Sequence, residues 1–131
     1  MLSKELLKQT LIKMGVNEQL IEDFDLHSTV ELELNTKFSI FISEVDDNVW
    51  IWSKLNFMST YHFENYAFEI LKIISEFKSF VIGGQYSVGH YDDIFELKAL
   101  ASKDALMDGD NFSILLETFF NDAKMLEELC E

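Results

Sequence analysis

The sequence predicts an α+β domain: a twisted, mainly antiparallel five-stranded sheet with three main helices. Three observations predict it. Apolar and polar residues alternate with period two through 29–56 and again through 94–101, which sends successive side chains to opposite faces of a strand. Residues 3–14, 59–78 and 111–128 follow helical periodicity instead. The two patterns are interspersed in the order α-β-β-β-α-β-β-α, with a short helix after the first, which is the element order of helices packed on an antiparallel sheet. No proline, low-complexity tract or internal repeat divides the 131 residues, so one domain, 1–131, is expected.

In chain order, Ser3 can cap the first helix, Leu6, Leu7, Leu11 and Met14 supply its apolar face, and Gly15 suits the left-handed exit. Asn17 can cap a short helix carrying Leu20, Ile21 and Phe24. The meander follows. Val30, Leu32 and Leu34 alternate with Thr29, Glu31 and Glu33. Phe38, Ile40 and Ile42 alternate with Lys37, Ser39 and Ser43, and Val49 and Ile51 with Trp50 and Trp52. Asn35-Thr36 and Asp46-Asp47-Asn48 provide the turns. The first strand has one apolar and one charged face. The third is apolar on both, and Phe41 points away from the Phe38 face. The second face therefore needs a cover, supplied by this chain or by another.

Ser59 or Thr60 opens a helix expected to run to about Lys78. At 100° per residue, Ile73, Tyr66, Phe77, Ile70, Phe63, Ile74 and Ala67 fill an arc of roughly 120°. Tyr61, Phe68 and Leu71 widen the apolar surface to roughly 220°. A helix so widely apolar is buried on two sides, either centrally within one subunit or against a copy of itself across a two-fold axis. Phe80-Val81-Ile82 reads as a fourth strand that Gly83-Gly84 ends, bends or bulges; Gln85–His90 continues it or is a loop. Asp92-Asp93 is a turn signal before the fifth strand, Ile94–Ala101. After a polar loop, Asp108 or Asp110 caps the last helix, whose buried face is Phe112, Leu115, Leu116, Phe119, Ala123 and Leu126, with Ile114, Met125 and Leu129 outside it.

Composition narrows the function. The chain is 48% hydrophobic with twelve Phe, which is a folded domain and not a disordered acidic tail. The formal net charge of −14 opposes nucleic acid and anionic membranes, which need basic patches. No apolar run reaches the ~20 residues that span a bilayer, and the amphipathic N-terminus lacks a signal-peptide layout. With one cysteine, an intracellular soluble protein is expected.

A catalytic constellation does not emerge. His27, His62 and His90 lack metal-ligand spacing, and a solvated bend accounts for His90 with Asp92 and Asp93. Cys130 sits beside Glu128 and Glu131, which raises its pKa, the wrong direction for a nucleophile. Gly83-Gly84 is not followed by Lys-Ser or Lys-Thr, so it is no phosphate loop. No catalytic, metal or cofactor residue is assigned, and the chain is expected not to be an enzyme. What remains is surplus apolar surface: Phe41, Trp50, Trp52, Leu55 and Phe57 on and after the second sheet face, and Leu2, Ile12, Ile114 and Met125 on helix flanks. Such patches on an acidic protein mark a protein partner, and a sheet edge beside one can accept an extended peptide.

The arrangement resembles the class I chaperones of bacterial type III secretion systems, in particular the broad-specificity class IB subgroup of invasion protein B and the surface-presentation-of-antigens chaperones. The resemblance rests on Leu20-Ile21-x-Asp23-x-Asp25-x-His27-Ser28 before the first strand, Val49-x-x-Trp52, Phe95-x-Leu97 after Asp92-Asp93, and Asp108-Gly109 before a final helix rich in Phe and Glu. It spans about 5–128, and Gly83-Gly84 departs from it at the fourth strand. The resemblance implies a cytoplasmic homodimer without nucleotide, metal or other cofactor. It implies a protein that binds the extended N-terminal region of effector proteins, keeps it stable and secretion-competent, and is not itself secreted. Phe41, Trp50, Trp52, Leu55 and Phe57 then become effector-binding candidates, and Tyr61, Phe68 and Leu71 dimer-interface candidates. The alternative, from charge and size, is an acidic immunity or inhibitor protein that neutralises a basic toxin.

Overall fold

The structure, a computed structural model, describes residues 4–16, 29–34 and 36–131. The expected short helix at Asn17–Phe24 and His27 lie outside them. Helix α1 (Lys4–Lys13) precedes the meander β1 (Val30–Glu33), β2 (Ser39–Val45) and β3 (Asn48–Lys54). Helices α2 (Thr60–Asn65) and α3 (Ala67–Ser75) come next, then β4 (Ser87–Tyr91), β5 (Ile94–Leu100) and the long α4 (Gly109–Leu129). The five strands form one antiparallel sheet in the order β1-β2-β3-β5-β4. The predicted α+β architecture is thus the observed one.

Alternation decides the faces. Val30, Leu32, Ile40, Ile42, Val49, Ile51, Leu97 and Ala99 are buried, and the register joins them across the sheet (Val30 with Ile42, Ile42 with Ile51, Ile51 with Ala99). Helix α4 covers this inner face with Phe112, Leu115, Leu116, Phe119, Ala123 and Leu126, all fully buried, as their spacing predicts. Helix α1 adds Leu7 and Leu11 and meets the start of α4, where the Thr10 hydroxyl donates to the Gly109 carbonyl and Lys13 pairs with Asp110. Asp108 caps α4, its Oδ1 accepting from the Asn111 amide at 2.9 Å. Both tight hairpin turns use paired aspartates with positive φ, Asp46-Asp47 (51°, 66°) and Asp92-Asp93 (49°, 62°), the sign pattern of a type I′ turn.

Three expectations need correction. The single helix 59–78 is two helices that break at Tyr66 (φ −120°, ψ 24°). The Asn65 side-chain amide donates to the Tyr61 carbonyl, so a side chain competes for the acceptor that the helical ladder uses. The helix also ends early, at Ser75, because the Lys78 amide turns to the Gly84 carbonyl at 2.7 Å. Phe77, expected in the core arc, consequently lies outside the helix and is 77% exposed. Ala67, from the same arc, is exposed as well. Finally, Phe80–Ile82 is not the fourth strand. Phe80 has φ 69°, Val81 makes one bridge to Ala101, and Gly83 and Gly84 (φ 80°, 77°) close a tight turn that resets the chain so that the strand starts at Ser87.

A buried polar set ties this connector to α4. Tyr86 donates its hydroxyl to Asp122 Oδ2 at 2.5 Å, and Lys78 Nζ lies 3.3 Å from the same oxygen and 5.0 Å from the Tyr86 ring centroid. Burial, reinforced by the bond to Asp122 and its charge, pushes the Tyr86 phenol far above its ordinary value. At the far end of α4, Glu127 accepts from the Lys37 amide at 2.8 Å and from Lys124 at 2.6 Å, which pins the helix to the β1–β2 connection.

Candidate functional site

The outer sheet face is built by cross-strand rows. One row runs Glu31, Phe41, Trp52, Lys98, Ser87; the next runs Ser43, Trp50, Leu100. Residues directly opposite on one face are close enough to touch, so the register brings Phe41 onto Trp52. Their rings stack with centroids 4.4 Å apart and an interplanar angle of 19°. Trp52 Nε1 donates to Ser43 Oγ at 2.9 Å, and that oxygen also pairs with Thr29 Oγ1 at 2.9 Å. The indole's polar edge is thereby satisfied inside the chain, which fixes the ring flat and leaves its apolar area for packing.

Beside this stack lies an open groove of about 440 Å³, lined by Ser43, Val45, Trp50, Trp52, Glu96 and Lys98. Phe41, Trp50 and Trp52 are half-buried and Val45 is exposed. The groove has an aromatic floor, one carboxylate and one ammonium at its rim, and no nucleophile-base pair among those lining residues. It suits an apolar side chain with polar neighbours on an incoming chain.

The expected binding residues divide. Phe41, Trp50 and Trp52 come together on this face. Leu55 does not: it is 1% exposed and belongs to the core, because β3 has ended at Lys54 and the Leu55 amide bonds the Phe95 carbonyl at 2.8 Å. Phe57 also turns to the core side, edge-on to Phe38 with centroids 6.1 Å apart. Tyr61, Phe68 and Leu71 are 65%, 76% and 61% exposed, a bare apolar face on α2 and α3. Sequence reasoning missed Ser43, Val45, Lys98 and Leu100 as partners of the tryptophans. Alternation gives each strand's faces, but the pairing of β3 with β5 joins residues some 50 positions apart and no local pattern encodes it.

His62 and His90 have structural neighbours. His62 Nδ1 accepts from the Ser59 amide at 3.1 Å in a capping box, and His90 stacks on Phe95 at 4.2 Å, with Phe63 on Phe95 as well at 4.9 Å. Cys130 is half-buried, and burial pushes its thiol up. Among the described residues no group of three or more His, Cys, Asp or Glu could hold a metal, and no helix is long and apolar enough to cross a membrane.

Helices close the inner face of the sheet, and the outer face keeps an aromatic groove. The chain superimposes with a TM-score of 0.63 and 17% identity on a chain of the heterodimeric complex ExoU-SpcU from the type III secretion system of Pseudomonas aeruginosa, covering 93% of this chain and 95% of that one. A model of the invasion protein B family matches residues 15–92. Two relatives, the surface presentation of antigens proteins SpaK of Salmonella typhimurium strain LT2 and of Salmonella typhi, are each 41% identical over 117 residues, 89% of this chain and 87% of theirs. The chain belongs to the invasion protein B family, a family of type III secretion chaperones.

Proposed function

We propose that this chain is a cytoplasmic bacterial chaperone that binds the extended N-terminal region of effector proteins, keeps it stable and secretion-competent, and is not itself secreted. The observation that carries the reading is the Phe41–Trp52 stack beside Trp50, an aromatic floor left open on the outer sheet face. An extended partner segment lies across such a face with apolar side chains on the floor, and it can add a strand at a sheet edge. The single domain uses no cofactor and carries no enzymatic step. Family membership favours this over the inhibitor reading.

The working unit is a homodimer. Phe68 and Leu71, three residues apart on α3, share one exposed face, and a second copy covers it at the least cost in new surface.

The test is co-expression with the N-terminal hundred or so residues of effectors encoded beside the gene. A stable complex is expected, and Phe41→Ala and Trp52→Ala should each weaken it by about tenfold or more. If no such effector co-purifies, or if both variants bind as the wild type does, the outer face is not the binding surface.

A further inference from the structure

A second groove, of about 470 Å³, runs between α3 and the last turns of α4. It shares no lining residue with the tryptophan groove. Ile73, Met125 and Leu129 make its floor, and Glu69, Glu76 and Glu128 stand at its rim against a single cation, Lys72. Among the described residues none of these three carboxylates is held in an ion pair. The end of α4 adds to the negative field, because carbonyls at a helix C-terminus carry partial negative charge and the last turn of α4 holds no basic residue.

We infer that this groove docks a basic amphipathic peptide segment of a protein partner. An apolar side chain of the segment lies over Ile73 and Met125, and Lys or Arg residues on either side of it reach Glu69, Glu76 and Glu128. Charge selects the occupant. An apolar floor alone accepts any greasy side chain, but an acidic segment would meet three carboxylates, of which only Glu128 also feels Lys124, and a helix C-terminus. The apolar floor gives burial, and the rim gives orientation and a faster encounter.

The probe is a short fluorescein-labelled amphipathic peptide of lysine and leucine, with its glutamate-leucine counterpart as control, followed by anisotropy on the full chain at low and raised salt. The lysine peptide should bind and the glutamate peptide should not. Glu76→Lys with Glu128→Lys should weaken binding by about tenfold or more, and so should Met125→Asp, at a position half exposed and therefore tolerant of change. Glu31→Lys with Glu33→Lys changes the total charge equally on two exposed residues of β1 and should leave binding within about twofold once salt is raised. Equal weakening by that pair would show attraction to the whole acidic molecule and overturn the assignment. Loss on Trp50→Ser would move the peptide to the sheet face and overturn it too. A change of mass with Met125→Asp, with peptide binding intact, would assign the groove to a second copy instead.

Discussion

Glu127 shows how a single side chain can join two elements. The hydrogen bond from Lys124 holds its carboxyl below the usual carboxylate range, against the opposing effect of burial, and the Lys37 amide adds to the lowering. A depressed pKa in the folded state gives stability that is present above the unfolded carboxylate pKa and is lost as pH falls through the folded one. The stability difference between wild type and Glu127→Gln, from urea unfolding, should therefore be widest near neutral pH and should close on acidification below the carboxylate range. The Lys78–Tyr86–Asp122 set is graded differently. Tyr86→Phe removes one charge-assisted hydrogen bond and should cost about 1.5–3 kcal/mol. Asp122→Ala leaves a buried ammonium unpartnered and should cost about 3–5 kcal/mol. Equal effects in the two variants would mean that Lys78 gains nothing from the carboxylate. Ser53 is the reverse case, a fully buried hydroxyl without a hydrogen-bond partner among the described residues. Ser53→Ala should be neutral or stabilise by up to about 1 kcal/mol, read as a higher urea midpoint.

Among elements, the meander follows its pattern most closely, because a face buried along a whole strand fixes register and direction together. Its turn residues were also legible: paired aspartates between alternating runs mark a hairpin, although the aspartates sit at a left-handed φ that costs an L-residue energy. Asp47→Gly at φ 66° should raise stability by about 0.5–1 kcal/mol, measured by thermal unfolding. The connector after α3 was not legible. Phe80, Gly83 and Gly84 all take positive φ within one short connector, and a Cβ at Gly84 would come within 2.7 Å of the Phe77 ring. Gly84→Ala should destabilise by about 1–2 kcal/mol through that left-handed φ alone, more if the ring cannot move aside. Helix periodicity read through this region as though it were continuous. It could not see Asn65 taking the Tyr61 carbonyl, nor Gly84 drawing the Lys78 amide out of the helix.

At the scale of the molecule, the exposed Tyr61, Phe68 and Leu71 and the open outer sheet face are the two surfaces that we propose serve binding rather than folding. Light scattering at micromolar concentration should give twice the chain mass of 15.3 kDa. Phe68→Glu with Leu71→Glu should halve it while leaving the helical and sheet signals in circular dichroism unchanged. A wild-type monomer would end the dimer proposal. The sequence by itself determined the element order, the inner faces of the strands, the buried face of α4 and the surplus of apolar positions. These are periodicities, set by which side of a strand or helix meets water. Only the tertiary structure decided which surplus residues are core, putting Leu55 and Phe57 inward and leaving Trp50, Trp52 and Phe41 together on the outer sheet face. That choice depends on β3 pairing with β5 and on where α3 stops, and both are settled by contacts between residues far apart in the chain.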